Sequence, residues 1–312
     1  NADGADRLHG DFAMNERHAA LVALLRTRPG GVSWRKLTEE ILECGDSRAV
    51  WDRHHPPQIF PSPDAEEALE AARCDLRAWQ RTGLRFVGVE DNDFPQRLLD
   101  ILETPPFLFV QGTLKAEDPG LSVVGSRKAS PRGLDMAARI AEFLVRENLT
   151  VISGLAEGID AAAHRAALDA GGRSAAFIAT GVMRVYPAKH RQLQAEVADR
   201  GLVLSQFWPD SPPQKQNFLM RNALMSGYGL ATIVVEAGET SGARAQARMA
   251  VEHGRPVILT DHVVRSNHWA QALMEHPGVH MVSGLRDLGS LVENLRSEPL
   301  RVHQALKQLA HG

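Results

Sequence analysis

The sequence is short of cysteine, with two in 312 residues, Cys44 and Cys74. Two distant thiols form no CxxC metal pair and are too few for a disulfide scaffold. Long apolar runs are missing as well. Nothing reaches the roughly 18 residues of a membrane-crossing helix, so no membrane association is expected. Asn1 to Gly10 is polar and has no apolar stretch, which argues against a signal peptide. Residues 1–13 read as a flexible tail, and the expected location is the cytoplasm. Metal-binding patterns are scarce: His54 and His55 are adjacent and His262 and His268 are six apart, and neither pair gives the i, i+4 spacing or an HExxH motif. No metal and no cofactor is therefore expected. No strand-like run is followed by GxGxxG, which argues against a nicotinamide-dependent dehydrogenase. Internal repeats and low-complexity tracts are absent too.

What is present is ordinary for a soluble globular chain, with 44% hydrophobic and 23% charged residues and a net charge of −3. The charge is unevenly placed. Residues 1–114 hold 13 Lys and Arg against 19 Asp and Glu, residues 115–260 hold 17 against 14, and residues 261–312 hold 5 of each. Only the middle stretch is basic, so a polyanionic partner belongs there, but the excess is too small for a strong nonspecific binder. Leu21, Val22, Leu24 and Leu25 give a helical stripe, Leu37, Ile41 and Leu42 another, and Pro56, Pro57, Pro61 and Pro63 mark a loop. Residues 14–82 thus read as a small helical module. From Phe107 onward, short apolar runs alternate with helix-like stretches. The strands read as 107–110, 121–124, 150–152, 174–178, 202–204, 232–235, 257–259 and 280–282. This alternation predicts an α/β fold: a doubly wound, mostly parallel, Rossmann-like sheet of about seven strands over residues 83–285. Residues 286–312 leave room for a short helical tail.

Such sheets bind ligands at the carboxyl ends of their strands. After the second of these strands come Gly125, Ser126, Arg127 and Lys128, then a helix start. A tight turn, a hydroxyl, a planar cation and unpaired helix N–H groups together suit a phosphate. After the third come Ser153 and Gly154, with Asp160 and His164 placed i, i+4 on the next helix. That pair reads either as an acid–base couple or as a turn-orienting acid with a histidine packed behind it. Lys215, Phe218 and Arg221 follow at three-residue spacing with Asn222, placing two cations and an aromatic on one patch. Phe218 reads either as a base-stacking ring or as core. Glu236 follows another strand, and Ser241 and Gly242 again suit a phosphate at a helix start.

The runs Val123-Val124-Gly125-Ser126-Arg127, Ser153-Gly154-Leu155-Ala156-Glu157-Gly158-Ile159-Asp160 with Ala163-His164, Tyr186-Pro187, Arg221-Asn222, Glu236-Ala237 and Ser241-Gly242 occur in order. Taken together they resemble the DprA/Smf family of DNA-processing proteins, a Rossmann-type branch of the LOG-like superfamily. The resemblance covers about residues 80–260. It implies a protein without turnover that holds single-stranded DNA in a basic pocket, self-associates, and helps load a RecA-type recombinase. It further implies that Gly125, Ser126 and Arg127 hold a phosphate, that Ser153 and Gly154 approach the nucleic-acid backbone, that Lys215 and Arg221 add charge, and that Phe218 stacks a base. Tyr186 and Glu236 join Asp160 and His164 as pocket-shaping residues. The chain departs from the family pattern at Gln206, Leu219, Ala223 and Gln246, at Thr260-Asp261, and in lacking a C-terminal winged helix up to residue 312. Arg244 is an added cation that restores charge lost at Ala223. A homodimer is expected, with the apolar stretch from Val263 to Leu273 as its candidate surface. Two other functions stay open: a sensor of a nucleotide-derived ligand, and a phosphoribohydrolase using Glu236 or Glu239.

Overall fold

The computed structural model describes residues 16–56, 63–115 and 117–310. The expected tail at residues 1–13 lies outside them. Four helices come first, α1 (16–27), α2 (Trp34–Cys44), α3 (Ser47–His54) and α4 (Pro63–Arg81). The alternating part then runs β1 (Arg85–Gly88), β2 (Phe107–Gly112), β3 (Gly120–Val124), α5 (Pro131–Arg146), β4 (Thr150–Ser153), α6 (Ile159–Asp169), β5 (Ser174–Phe177), α7 (Arg191–Arg200) and β6 (Leu202–Ser205). It continues through α8 (Lys215–Tyr228), β7 (Ala231–Val234), α9 (Gly242–Glu252), β8 (Val257–Thr260), α10 (Asp261–Ser266), α11 (His268–Leu273), β9 (Val279–Val282) and α12 (Leu285–Ala310).

The strands form one nine-stranded sheet in the order β1-β2-β6-β5-β4-β3-β7-β8-β9. From β6 to β9 every neighbouring pair is parallel. The strand order reverses between β3 and β7, so the crevice beside their carboxyl ends is the topological switch point. The expected doubly wound fold is present. Strands β3 to β8 are buried along their whole length, which is why they read as continuous apolar runs. Their side chains still alternate. Val123, Val151 and Ile233 pack under α5, α6 and α12, whereas Val124, Ile152 and Val234 belong to the core of the opposite face.

Two features were not legible. The strand at 107 is antiparallel to both neighbours, and a further strand, β1, pairs outside it. The C-terminal stretch is a single helix of 26 residues in place of a short helical tail. The N-terminal helices pack against this antiparallel end and share its hydrophobic cluster. Trp34, Trp79, Phe86, Phe107, Phe109 and Trp208 pack ring against ring there, some edge-on and some stacked, with the stacked Phe107 and Trp208 rings 4.5 Å apart.

Candidate nucleic-acid interface

The loops after β3 and β7 meet at the switch point. Ser126 N–H donates to the Glu236 carbonyl at 2.7 Å, and the Ser126 carbonyl accepts from Ile159 N–H at 3.2 Å. Gly125 is required by this approach: a Cβ there would lie 2.5 Å from Ile159 Cγ1 and 2.7 Å from the Glu236 oxygen. The turn is closed by Ser126 Oγ, which accepts from Lys128 N–H at 3.2 Å. These bonds leave Arg127 and Lys128 projecting, both exposed.

The N-terminus of α5 does not offer the open anion site that the sequence suggests. Ser130 caps it by accepting from Gly133 N–H at 3.0 Å. The Glu236 carboxylate accepts from Ser130 N–H at 2.8 Å and from Ser130 Oγ. The protein's own carboxylate therefore sits where a bound phosphate would complement the helix dipole. The start of α9 is self-capped in the same way, with Ser241 Oγ accepting from Ala243 N–H at 3.2 Å.

The anion-attracting groups converge elsewhere, in a cleft of about 640 Å³ between the 125–128 loop, α8 and the start of α9. Gly125, Ser126, Arg127, Lys128, Lys215, Phe218, Arg221, Asn222, Ser241 and Gly242 all line it. Phe218 is half-buried, while Leu219 and Met220 beside it are exposed, so the ring belongs to the cleft wall and not to the core. The Arg127 guanidinium lies 5.1 Å from the Phe218 ring centroid and that of Arg221 lies 6.0 Å away. Tyr186 meets the same ring edge-on at 5.8 Å and lines an adjoining pocket with Gly154. Arg127, Lys128 and Lys215 form no ion pair among the described residues. Arg244 is exposed on α9 and donates to the Glu239 carbonyl at 3.2 Å, outside the cleft lining.

Several expected contacts fall away. Ser153 is fully buried and its hydroxyl is already committed to the Val123 carbonyl at 2.6 Å, so it is not offered to the cleft. Arg221 is buried too; its Nη1 donates to the carbonyls of Gly154 and of Phe177, the latter at 2.9 Å, and its Nε to Asn222 Oδ1 at 3.1 Å. It braces the cleft floor more than it adds free charge, and burial holds its pKa below the usual guanidinium range. A Cβ on Gly154 would strike this guanidinium, which explains the glycine.

Asp160 and His164 form no couple. Asp160 accepts from Gly154 N–H at 3.1 Å and Ala156 N–H at 3.4 Å, fixing the turn. Burial pushes its carboxyl up, opposed by the nearby Arg221 charge and by those two N–H groups. His164 Nδ1 donates to Ser174 Oγ at 2.7 Å, since that hydroxyl itself donates to the Val151 carbonyl, and burial pushes its imidazole down to about 3, so it is neutral. Glu239 accepts from His268 N–H, and that bond holds its carboxyl below the usual range. Both acids considered for hydrolysis are thus engaged in holding loops. The apolar side chains that suggested the candidate dimer stretch face inward: Val263, Trp269, Ala270 and Leu273 are buried, while Arg265, Ser266, His268, Gln271 and Ala272 are exposed.

One cleft residue escaped the sequence reading as a site residue. Gln246 is buried on α9 and lines the cleft. A glutamine inside a helix gives no signal of its own, since it is normally a solvent-facing residue. Among the described residues no cluster of three metal-ligating side chains occurs, and no helix is long and apolar enough to cross a membrane.

Comparison with known proteins gives a consistent result. A family model described as DNA recombination-mediator protein A matches residues 85–287. Protein Smf of Synechocystis sp. is 36% identical over 188 residues, which is 59% of this chain and 47% of that protein. DNA processing protein DprA of Streptococcus pneumoniae is 39% identical over 169 residues, covering 54% of this chain and 60% of that protein. The chain thus spans about half to three-fifths of these relatives' lengths. The X-ray structure of DprA from Streptococcus pneumoniae superposes with a TM-score of 0.65 at 26% identity, over 89% of this chain and 95% of that one. A structure of DprA from Helicobacter pylori, described for its single-stranded DNA binding mode, matches the fold with a TM-score of 0.60 at 22% identity, over 67% of this chain and 97% of that one. With the family match extending from β1 into the start of α12, the chain belongs to the DNA recombination-mediator protein A family, the DprA/Smf proteins.

Proposed function

We propose that the cleft between the 125–128 loop, α8 and α9 binds single-stranded DNA, and that the protein acts as a DNA-processing protein without turnover. The observation that carries this reading is Phe218, a half-buried ring facing the cleft beside three exposed cations, Arg127, Lys128 and Lys215, that form no ion pair among the described residues. Cations attract the phosphates and the ring offers a face to a base, a combination that favours single strands because a duplex hides its base faces. The Helicobacter pylori relative, whose structure is described by its single-stranded DNA binding, supports it. Family membership supports a RecA-type recombinase and a second copy of this chain as partners, and a cytoplasmic location.

The test is fluorescence anisotropy with a labelled single strand at two salt concentrations, against the matching duplex. The expected result is preferential binding to the single strand that weakens with salt. Absence of binding at low salt sinks the reading. Co-sedimentation with a RecA-type recombinase on single-stranded DNA, and molecular mass in solution, test the two partners.

A further inference from the structure

Gln246 is a polar side chain that the fold leaves without a role. It is 1% exposed, on the buried face of α9 with Ala243, Ala247 and Ala250, and it lines the cleft. Neither its Oε1 nor its Nε2 has a hydrogen-bond partner among the described residues. A buried carboxamide without partners opposes folding, and an apolar side chain of similar size would serve the interior better.

The chemistry of the unmet pair restricts what would meet it. A phosphate group has acceptors only; it would satisfy Nε2 and leave Oε1 alone. A nucleobase edge sets a donor beside an acceptor, the complement of a carboxamide. The surroundings agree with a base. Phe218 lines the same cleft, and so does Asn222, a second carboxamide whose Oδ1 is taken by Arg221 while its Nδ2 remains a donor. Stacking on a ring with hydrogen bonds at the edge is how proteins read unpaired bases.

The geometry points to Gln246 as a base-reading residue: its carboxamide pairs with the edge of the base that stacks on Phe218, so that binding depends on which base enters. This rests on the single-strand reading above. The cations would then give affinity without sequence preference, and one buried amide would supply the preference.

The experiment measures affinity for dA12, dC12, dG12 and dT12, and for a strand of the same length carrying abasic positions, with the unaltered protein and with Gln246→Leu. The unaltered protein should bind the four homopolymers unequally and the abasic strand weakly. Gln246→Leu should lose about tenfold for the preferred homopolymer and narrow the differences among the four, with a melting temperature equal to or above that of the unaltered protein. Comparing the two proteins on the same strands cancels the homopolymers' own stacking tendencies. If Gln246→Leu does not fold, Gln246→Met, closer in shape, gives the same readout. Unchanged affinities and unchanged order in a folded variant overturn the base-reading role while leaving single-strand binding in place. Failure of the unaltered protein to bind any strand overturns both.

Discussion

The two ends of the sheet treat aromatic rings in opposite ways. At the antiparallel end, Trp34, Phe107, Phe109 and Trp208 pack ring against ring, and Phe107 and Phe109 are fully buried. At the switch point one ring, Phe218, stands half-buried, flanked by guanidinium groups and by the edge of Tyr186. Rings that meet rings remove apolar surface from water and hold the N-terminal helices to the sheet. A ring that meets cations and solvent keeps part of its surface available for a ligand. The two regions should therefore separate cleanly under mutation: one governs stability, the other binding.

The largest expected effect lies at the antiparallel end. Phe107→Ala should cost about 3–5 kcal/mol of stability, measured by denaturant unfolding, while the fraction that remains folded binds single-stranded DNA as before. A parallel loss of affinity in the folded fraction would erase the distinction between the two ends. His164 comes next. Its folded-state pKa, about 3, lies below the ordinary 6.5, so the unfolded chain takes up a proton first as pH falls. Stability contributed by the neutral imidazole is complete above pH 6.5 and drains away down to about pH 3. At pH 4 the deficit is about 3 kcal/mol relative to pH 7. In His164→Leu the fall in stability between pH 7 and pH 4 should shrink by that amount, with no change in DNA affinity at neutral pH; an unaltered pH profile would show that other groups govern the acid limb.

The smaller effects sharpen the other side of the comparison. Phe218→Ala should weaken single-strand binding roughly tenfold, the scale of one stacked base, with an unchanged salt slope and little loss of stability. A steep change in salt slope would mean that the ring acts through Arg127 and not through stacking. Arg127→Ala and Lys215→Ala should each lower affinity several-fold and reduce the salt slope by about one, again without destabilising the fold. Equal slopes before and after substitution would place the phosphates elsewhere.

The parallel strands were legible because burial on both faces leaves continuous apolar runs, as at Leu121–Val124 and Val257–Leu259. The direction of β2 was not, since a run such as Phe107–Val110 carries no sign of whether its neighbours run with it or against it. β1 is only four residues long, with its first residue exposed, and gives too little pattern to read. In the site, the exposed cations at 127, 128 and 215 were legible, because the 125–128 turn and the start of α8 both project at strand ends. Arg221 was placed on the same patch as Lys215 from its spacing. Yet six residues at 3.6 per turn leave it about 120° around the helix from Lys215, enough to turn a guanidinium from solvent onto the Gly154 and Phe177 carbonyls. Glu236 was legible only as a pocket-shaping acid at a strand end; that its partner would be the cap of α5 depends on two loops far apart in sequence.

The bonds from Ser126 and Ser130 to Glu236 bear on how the cleft would work in time. They tie the β3 and β7 loops to each other, so parting the loops on ligand entry would cost these hydrogen bonds. Adaptation falls to side chains, chiefly to Arg127, which must rotate off the Phe218 ring when a base takes that face. Rotamer changes of exposed residues take picoseconds to nanoseconds, far faster than loop rearrangement. Encounter with a strand would then be limited by diffusion and charge, with residence time set by how long the Phe218 ring and its neighbours keep their hold.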